Sequence, residues 1–391
     1  MKGNWLLPES LADVLPAEAL QIELLRRRML DLFKGRGFEL VLPPLVEYLE
    51  SLLTDAGQDL RLRTFKLVDQ LSGRTLGVRA DMTPQITRID AHILNRPGIV
   101  RLCYCGPVLH ARPAGLLANR ELLQIGAEIY GHGGIEADLD IIRLALDCVA
   151  LAGVQQPALV LSHSGLVRAI IEPDEQAVAR ADEIMSLLRD KDLPGLAQLR
   201  FGQDALQEAT VLALEALPKC YGGQEVLQKA GQSLPQLPGV LASLKALQSL
   251  IDALTQTHVN IDLSDVGAYG YHSGVTFSIY ADGWHDAIVQ GGRYDSVGRA
   301  FGRARPATGF SLDLRKIARE LWHTSKPKAI HAPNDPSPKL KNLVTSLRES
   351  GEIVVQLFSE EKPPHDAFLF DRHIVQVDRQ WVVQNVPSTK P

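Results

Sequence analysis

The sequence predicts an α+β protein, in which antiparallel strands and helices mix without the regular strand-helix alternation of a doubly wound sheet. Two strand candidates, IVRLCYCGPVLHAR and RELLQIGAEIYG, flank the turn-rich PAGLLAN and predict a long antiparallel hairpin. A second group of strands, VNIDLSDV, GVTFSIYAD and HDAIVQGGRY, arrives only after short helical runs broken by Pro and Gly from about residue 165 to about 254. A sheet interrupted by a helical insertion accounts for both. A chain of 391 residues is too long for one ordinary core, so two or three domains are expected.

Apolar residues at Ile22, Leu25, Met29, Leu32 and Phe33, with Pro16 near the start and Gly35 and Gly37 at the end, predict a helix over Asp13–Phe33. FELVLPPLVEYLESLL begins as a strand, breaks at Pro43 and Pro44, and resumes as a helix. TFKLVD and GRTLGVRAD form a hairpin turning at Ser72 and Gly73, and ADMTPQITRIDAHIL is a helix entered through Asp81, Thr83 and Pro84. DLDIIRLALDCVALAG is a helix and PALVLSHSG a strand; ATGFSLDLRKIARELW runs from strand into helix. The Pro-, Lys- and Ser-rich TSKPKAIHAPNDPSPK predicts a linker over 323–337 between a core of residues 1–322 and a small C-terminal domain of 338–391. That last domain offers one helix (LKNLVTSLRES), one strand (EIVVQLF) and a hairpin (AFLFDRHIVQVDRQWVVQNV).

Composition narrows the function. Hydrophobic and charged fractions of 45% and 22% are those of a globular chain. The N-terminus, with Glu9, Asp13 and Glu18 and two prolines, does not read as a secretory leader, so a cytoplasmic location is expected and no membrane partner. Four cysteines without a C-x-x-C pair make no disulfide framework, and the scattered histidines make no zinc spacing. No metal and no cofactor are expected. A net charge of -5 argues against a nucleic-acid binder.

The segments in order resemble histidyl-tRNA synthetase, a class II aminoacyl-tRNA synthetase, from about residue 5 to about residue 322. LADVLP, GFELVLPPLVEY, VRADMTPQ, the hairpin from GPVLHARP to ELLQIGAEIYG, GYHSGVTF, GGRYDSVG and ATGFSLDLRKI carry the resemblance. It implies a class II synthetase-like antiparallel sheet flanked by helices, a helical insertion, and a small C-terminal α/β domain. It also shows losses. Class II catalysis uses one arginine in the second motif and another in the third to hold phosphates and carboxylate. The matching positions carry His110 and Lys316, with Arg112 or Arg315 reachable only if the alignment slides. Gly267 stands where a further arginine would open the tyrosine-rich turn. About sixty residues after the linker are too few for an anticodon-binding domain.

With those losses the chain resembles the regulatory subunits of ATP phosphoribosyltransferase, a family of synthetase paralogues without aminoacylation activity. The resemblance implies a short-form catalytic subunit as partner in a hetero-octamer, a homodimer through GFELVLPPLVEY, no tRNA, and L-histidine as a candidate ligand. The amino-group ligands of the synthetase map onto Asp81, Thr83 and Gln124; its imidazole partners map onto Glu128 and onto Tyr271 or His272, with Tyr294 nearby. Arg112 or Arg120 is left to meet the ligand carboxylate. Each has a plain structural alternative: Asp81 and Thr83 as helix caps, Gln124 and Glu128 on a solvent face, the tyrosines as sheet packing. Gly291 and Gly292 are expected to give tight turns. A surviving histidine-activating enzyme and a free-standing histidine sensor are the rival readings.

Overall fold

The helix α1 spans Pro16–Gly35 and buries Ile22, Leu25, Met29 and Phe33, the stripe that its sequence period predicts. It stops where Gly37 takes φ +81° and the Phe38 N–H returns to the Phe33 carbonyl at 3.0 Å. This computed structural model describes residues 6–53, 58–113, 115, 118–267, 272–284, 286–320, 325–358 and 368–386. The chain divides into two compact units, Met1–Asp13 with Ile22–Trp322 and Val14–Gln21 with His323–Pro391.

In the first unit β1 (Glu39–Leu40) is followed by a small antiparallel sheet of β2 (Val46–Tyr48), β3 (Phe65–Val68) and β4 (Thr75–Val78), in the order β2-β4-β3. The strand β2 corrects the expectation of helix directly after Pro44: pairing of Val46 with Val78 holds the chain extended, and helix is confined to Leu49–Leu52. The β3–β4 turn closes as predicted, with Gly73 at φ +70° and the Asp69 carboxylate accepting from Ser72 and from the Leu71 N–H. Then α2 (Thr83–Arg88) continues as a π-helical turn over Ile89–Leu94 to Asn95, which ends it at φ +43°.

The main sheet takes its long hairpin from β5 (Val100–Leu109) and β6 (Glu121–Tyr130), paired antiparallel along all ten residues from Val100↔Tyr130 to Leu109↔Glu121. After α3 (Ile135–Leu151) come β7 (Ala158–His163), helices between Ser164 and Ala253 with the two-residue β8 (Tyr221–Gly222) among them, then β9 (Val259–Asp262), β10 (Val275–Tyr280), β11 (Val289–Arg293) and β12 (Ala307–Asp313), which leads into α4 (Leu314–Glu320). The order is β1-β5-β6-β12-β11-β10-β7-β9-β8, antiparallel except for the β1/β5 and β7/β9 pairs.

Strand alternation makes the two faces of this sheet chemically different. Ile125, Ala127 and Ile129 of β6, Phe310 and Leu312 of β12, Phe277 and Ile279 of β10 and Leu159 and Leu161 of β7 are buried on one face, where Phe33 of α1 meets Phe310 edge-on at 6.1 Å. The opposite face carries Gln124, Gly126 and Glu128, then Gly309 and Ser311, Gln290 and Gly292, Thr276 and Ser278. Gly291 and Gly292 therefore lie inside β11 rather than in turns, a correction with a packing reason. A Cβ on Gly291 would come within 2.5 Å of the Phe277 ring and of the Gly309 carbonyl oxygen, and one on Gly292 within 2.7 Å of His272.

Buried Arg79 ties the first motif to the hairpin, donating to the carbonyls of Pro43 and Pro107, each at 2.8 Å. Gly106 makes room for it, since a Cβ there would lie 2.4 Å from the guanidinium. Arg79→Met keeps the volume but strands both carbonyls. The expected cost is about 2–4 kcal/mol, read as a lower urea midpoint at unchanged slope.

In the C-terminal unit β13 (Lys328–Pro333), α5 (Pro338–Glu349), β14 (Val354–Leu357), β15 (Leu369–Val377) and β16 (Gln380–Asn385) form a four-stranded sheet, β14-β13-β15-β16, with α5 packed on it. Here the linker reading is corrected. Lys328–Pro333 is a strand, because Ala329, Ile330 and Ala332 bury against this sheet and outweigh the Pro and Lys around them.

Candidate functional site

The polar face of the main sheet concentrates its charge at Glu128, which is 1% exposed. Gly309 on the neighbouring strand makes this possible: a Cβ there would stand 1.4 Å from Glu128 Oε2. Three hydroxyls converge on the carboxyl group. Tyr104 donates at 3.0 Å and Thr83 at 3.2 Å to Oε1, and Tyr294 donates to Oε2. Tyr130 lies behind Tyr294 at 3.4 Å and shares a 3.2 Å contact with Thr87, so the hydroxyls form one chain into the core. Burial pushes the Glu128 carboxyl up to about 8; the hydrogen bonds from Tyr294, Tyr104 and Thr83 pull the other way without matching it. Burial thus favours the neutral acid over the carboxylate.

One turn of strand away, Gln124 arranges the entry to α2. Its Oε1 accepts the Met82 N–H at 2.8 Å, and its Nε2 donates to Asp81 Oδ1 at 2.8 Å and Ser311 Oγ at 3.0 Å. Asp81 Oδ1 also accepts the Thr83 N–H at 3.2 Å, a turn one residue ahead of the N-cap Met82, which has no side-chain cap of its own. Thr83 does not cap; its hydroxyl faces Glu128. His272 lies 7% exposed beside Gly292, its imidazole held neutral because burial lowers it to about 4. Thr83, Glu128, His272, Gln290, Tyr294 and Ser311 line a cavity of about 10 Å³, room for one water molecule. An amino acid enters only if this pocket opens.

Six of the nine residues singled out in the sequence thus come together: Asp81, Thr83, Gln124, Glu128, His272 and Tyr294. Tyr271 lies outside the described residues. The two arginines proposed for a ligand carboxylate are not at the cavity. Arg120 precedes β6 roughly 26 Å of strand from Glu128, and its guanidinium donates to the carbonyls of His110 and Glu9 and stacks 4.8 Å from the Phe65 ring. Arg112 is exposed past the end of β5. Tyr104, Tyr130, Thr87, Gln290 and Ser311 belong to the site without having been singled out. Ser311 left a signal, a hydroxyl between Phe310 and Leu312, but the convergence of Tyr104 on Glu128 depends on register across the hairpin.

The positions that lack the synthetase arginines are occupied otherwise. His110 is buried, and its Nε2–H donates to the Ala80 carbonyl at 3.0 Å. Lys316 pairs with Asp286 at 3.2 Å and lies over the Trp284 ring. Arg315 donates to the Ala12 carbonyl and lies 3.5 Å from Glu121, holding the N-terminal segment. Gly267 has φ +77°, and a Cβ would meet His272 Nδ1 at 2.8 Å, so the conformation here favours glycine over an arginine. Among the described residues no group of three His, Cys, Asp or Glu converges to hold a metal. Cys103 and Cys105 share the apolar side of β5, their thiols pushed up by burial to about 12 and about 11. No helix among the described residues is long and apolar enough to cross a membrane.

Comparison with known proteins divides the chain along the same lines. Residues 10–317 match the family model for histidyl-tRNA synthetase, and residues 327–384 match that for the ATP phosphoribosyltransferase subunit HisZ C-terminal domain. The ATP phosphoribosyltransferase regulatory subunit of Bordetella petrii is 61% identical over 384 residues, covering 98% of this chain and 100% of that one. The protein of that name from Burkholderia thailandensis is 53% identical over 382 residues, 98% of this chain and 99% of the other. Among solved structures, an ATP phosphoribosyltransferase regulatory subunit/histidyl-tRNA synthetase from Bacillus halodurans superposes with a TM-score of 0.80 at 25% identity, covering 93% of this chain and 96% of that one. Histidyl-tRNA synthetase from Nostoc shares the fold, with a TM-score of 0.77 at 17% identity over 96% and 92% of the two chains.

Proposed function

Because the chain belongs to the family of ATP phosphoribosyltransferase regulatory subunits, we propose that it activates a separate short-form catalytic chain and confers histidine feedback on it. The chain itself is the non-catalytic subunit of that enzyme, in the first step of histidine biosynthesis. The observation that carries the proposal is a pocket whose acceptors survive while its fixed cations do not. Asp81 and Gln124, hydrogen-bonded to each other beside the cavity rather than in its lining, are the acceptors that an opened pocket would offer the ammonium of an amino acid, and Glu128 with its three hydroxyls suits an imidazole. His110, Lys316 and Gly267 stand where the synthetase family has arginines, and none of the three offers a bidentate fork to a phosphate. The narrow cavity fits a regulatory role in a specific way. Histidine would select an opened state of this pocket, and feedback follows if the opened state couples differently to the catalytic partner.

Leu40, Leu42, Leu45 and Tyr48 expose apolar surface along the first motif, which supports a homodimer there and, with the catalytic chain, a hetero-octamer. Cytoplasmic location and the absence of tRNA as a ligand belong to the same reading. The test is phosphoribosyl transfer by the short catalytic chain alone, with this protein, and with this protein plus L-histidine. Activity raised by the mixture and lowered by histidine is expected; an unchanged rate in the mixture would end the proposal. ATP–pyrophosphate exchange with histidine should stay at background, and a histidine-dependent rate would favour a surviving ligase.

A further inference from the structure

The polar face of the main sheet has a trough, and the chain fills it with its own imidazole. Strand register sets Glu128, Gly309, Gly292, Thr276 and Ser162 in one row across β6, β12, β11, β10 and β7. The two positions between Glu128 and Thr276 are glycines, so the row has no side chain of its own there. The Glu128 carboxyl leans over Gly309. His272 covers the other glycine: a Cβ on Gly292 would lie 2.7 Å from its Cδ2 and 3.1 Å from its Nε2. Both side chains line the one-water cavity.

The backbone that follows His272 is pinned. The Ser273 N–H donates to the Arg293 carbonyl at 2.7 Å and its Oγ accepts the Asp295 N–H at 2.8 Å, while the Gly274 carbonyl accepts from the N–H and Oγ of Ser164 at 2.9 and 3.0 Å. The least costly way to empty the trough is therefore rotation of the imidazole about its own side-chain torsions. Farther along the row, Thr276 and Ser162 are buried, and their hydroxyls have no hydrogen-bond partner among the described residues. A Cβ on Gly267 would lie 3.4 Å from His272 Cε1 and 3.5 Å from Thr276 Cγ2, so the ring and this side chain border the same space. A turned imidazole has polar groups inside the protein to turn towards.

We propose that His272 is a stand-in for the ligand: in the closed pocket its imidazole occupies the seat beside Glu128, and L-histidine binds by displacing it. The proposal rests on the reading that this pocket receives histidine, and it names the group that holds the pocket shut. It also reverses the sign expected of His272 as a partner of the ligand. Losing a partner weakens binding, whereas losing a plug strengthens it, because apparent affinity is reduced by the fraction of molecules that are open.

The test is the histidine concentration that half-inhibits phosphoribosyl transfer in complexes of the short catalytic chain with wild type, His272→Ala and His272→Gln, each against its own uninhibited rate. With the open state at about a tenth of molecules or less, His272→Ala should need about tenfold less histidine. His272→Gln keeps a side chain of similar volume in the seat and should show no such gain. Added imidazole should raise the histidine requirement of His272→Ala towards that of wild type and leave wild type unchanged. His272→Ser opens the seat in the same way should His272→Ala fail to assemble. A higher histidine requirement in the alanine, serine and glutamine variants makes His272 a partner of the ligand and overturns the inference, with the proposed function left standing. Equal requirements in all the complexes overturn it as well. No inhibition of the wild-type complex by histidine overturns the feedback reading and the inference together.

Discussion

Glu128→Gln is expected to stabilise the protein at pH 8 by a few kcal/mol relative to wild type, with a smaller difference at pH 6.5. The sign follows from where the proton sits. The unfolded chain releases it in the ordinary carboxylate range, whereas burial holds it in the folded state to about 8. The stability from this raised pKa is fully present below the unfolded value and is lost as pH rises through the folded one. His272 acts with the opposite sign: burial lowers it to about 4, so stability rises with pH up to the ordinary imidazole range, about 6.5. Above about pH 6.5 the His272 contribution has levelled off while that of Glu128 is still changing up to about 8. Urea unfolding at three pH values between these limits should show a falling wild-type stability and a flatter line for Glu128→Gln. Parallel lines would mean that Glu128 is ionised in the folded protein at neutral pH.

The larger structural effect is expected at Gly309. A methyl group there would lie 1.4 Å from Glu128 Oε2 and 2.7 Å from the Ala127 carbonyl oxygen of the paired strand, so neither a rotamer change nor a small slide removes the clash. Gly309→Ala should cost about 3 kcal/mol or more and expel Glu128 from its hydroxyl cluster. Gly231 is the control. It lies in the helix Glu225–Ser233 with nothing within 4 Å of a Cβ, and Gly231→Ala should be neutral or gain about 1 kcal/mol through helix propensity. Equal urea midpoints for the two variants would contradict the packing assigned to the polar face.

The elements with a clean period were legible in the sequence. The stripe through Ile22, Leu25, Met29 and Phe33 and the long β5/β6 hairpin follow from spacing alone. The strand β13 was hidden because its Pro and Lys neighbours read as linker, whereas burial of Ala329, Ile330 and Ala332 is tertiary. The entry to α2 and the carboxyl at Glu128 were legible through resemblance as much as through chemistry. What sequence could not supply was register. Tyr104 reaches Glu128 because the hairpin pairs Leu102 with Glu128, and Gly309 sits under that carboxyl because β12 pairs it there. The arginines misled for a related reason. Arg120 and Arg315 keep their charge in the motifs, but each spends it on backbone carbonyls of the N-terminal segment, a use that no local pattern encodes.

We propose that this pocket receives the histidine signal for a separate catalytic chain. The most direct measurement is histidine inhibition of phosphoribosyl transfer in complexes assembled with wild-type protein and with Glu128→Gln. Both complexes are expected to be active, and Glu128→Gln to require at least about tenfold more histidine for half-inhibition, because the amide keeps the shape of the acid but cannot ionise against the ligand's imidazole, a loss of about 1.4 kcal/mol or more. Superimposable inhibition curves would contradict it and place the histidine site elsewhere in the complex.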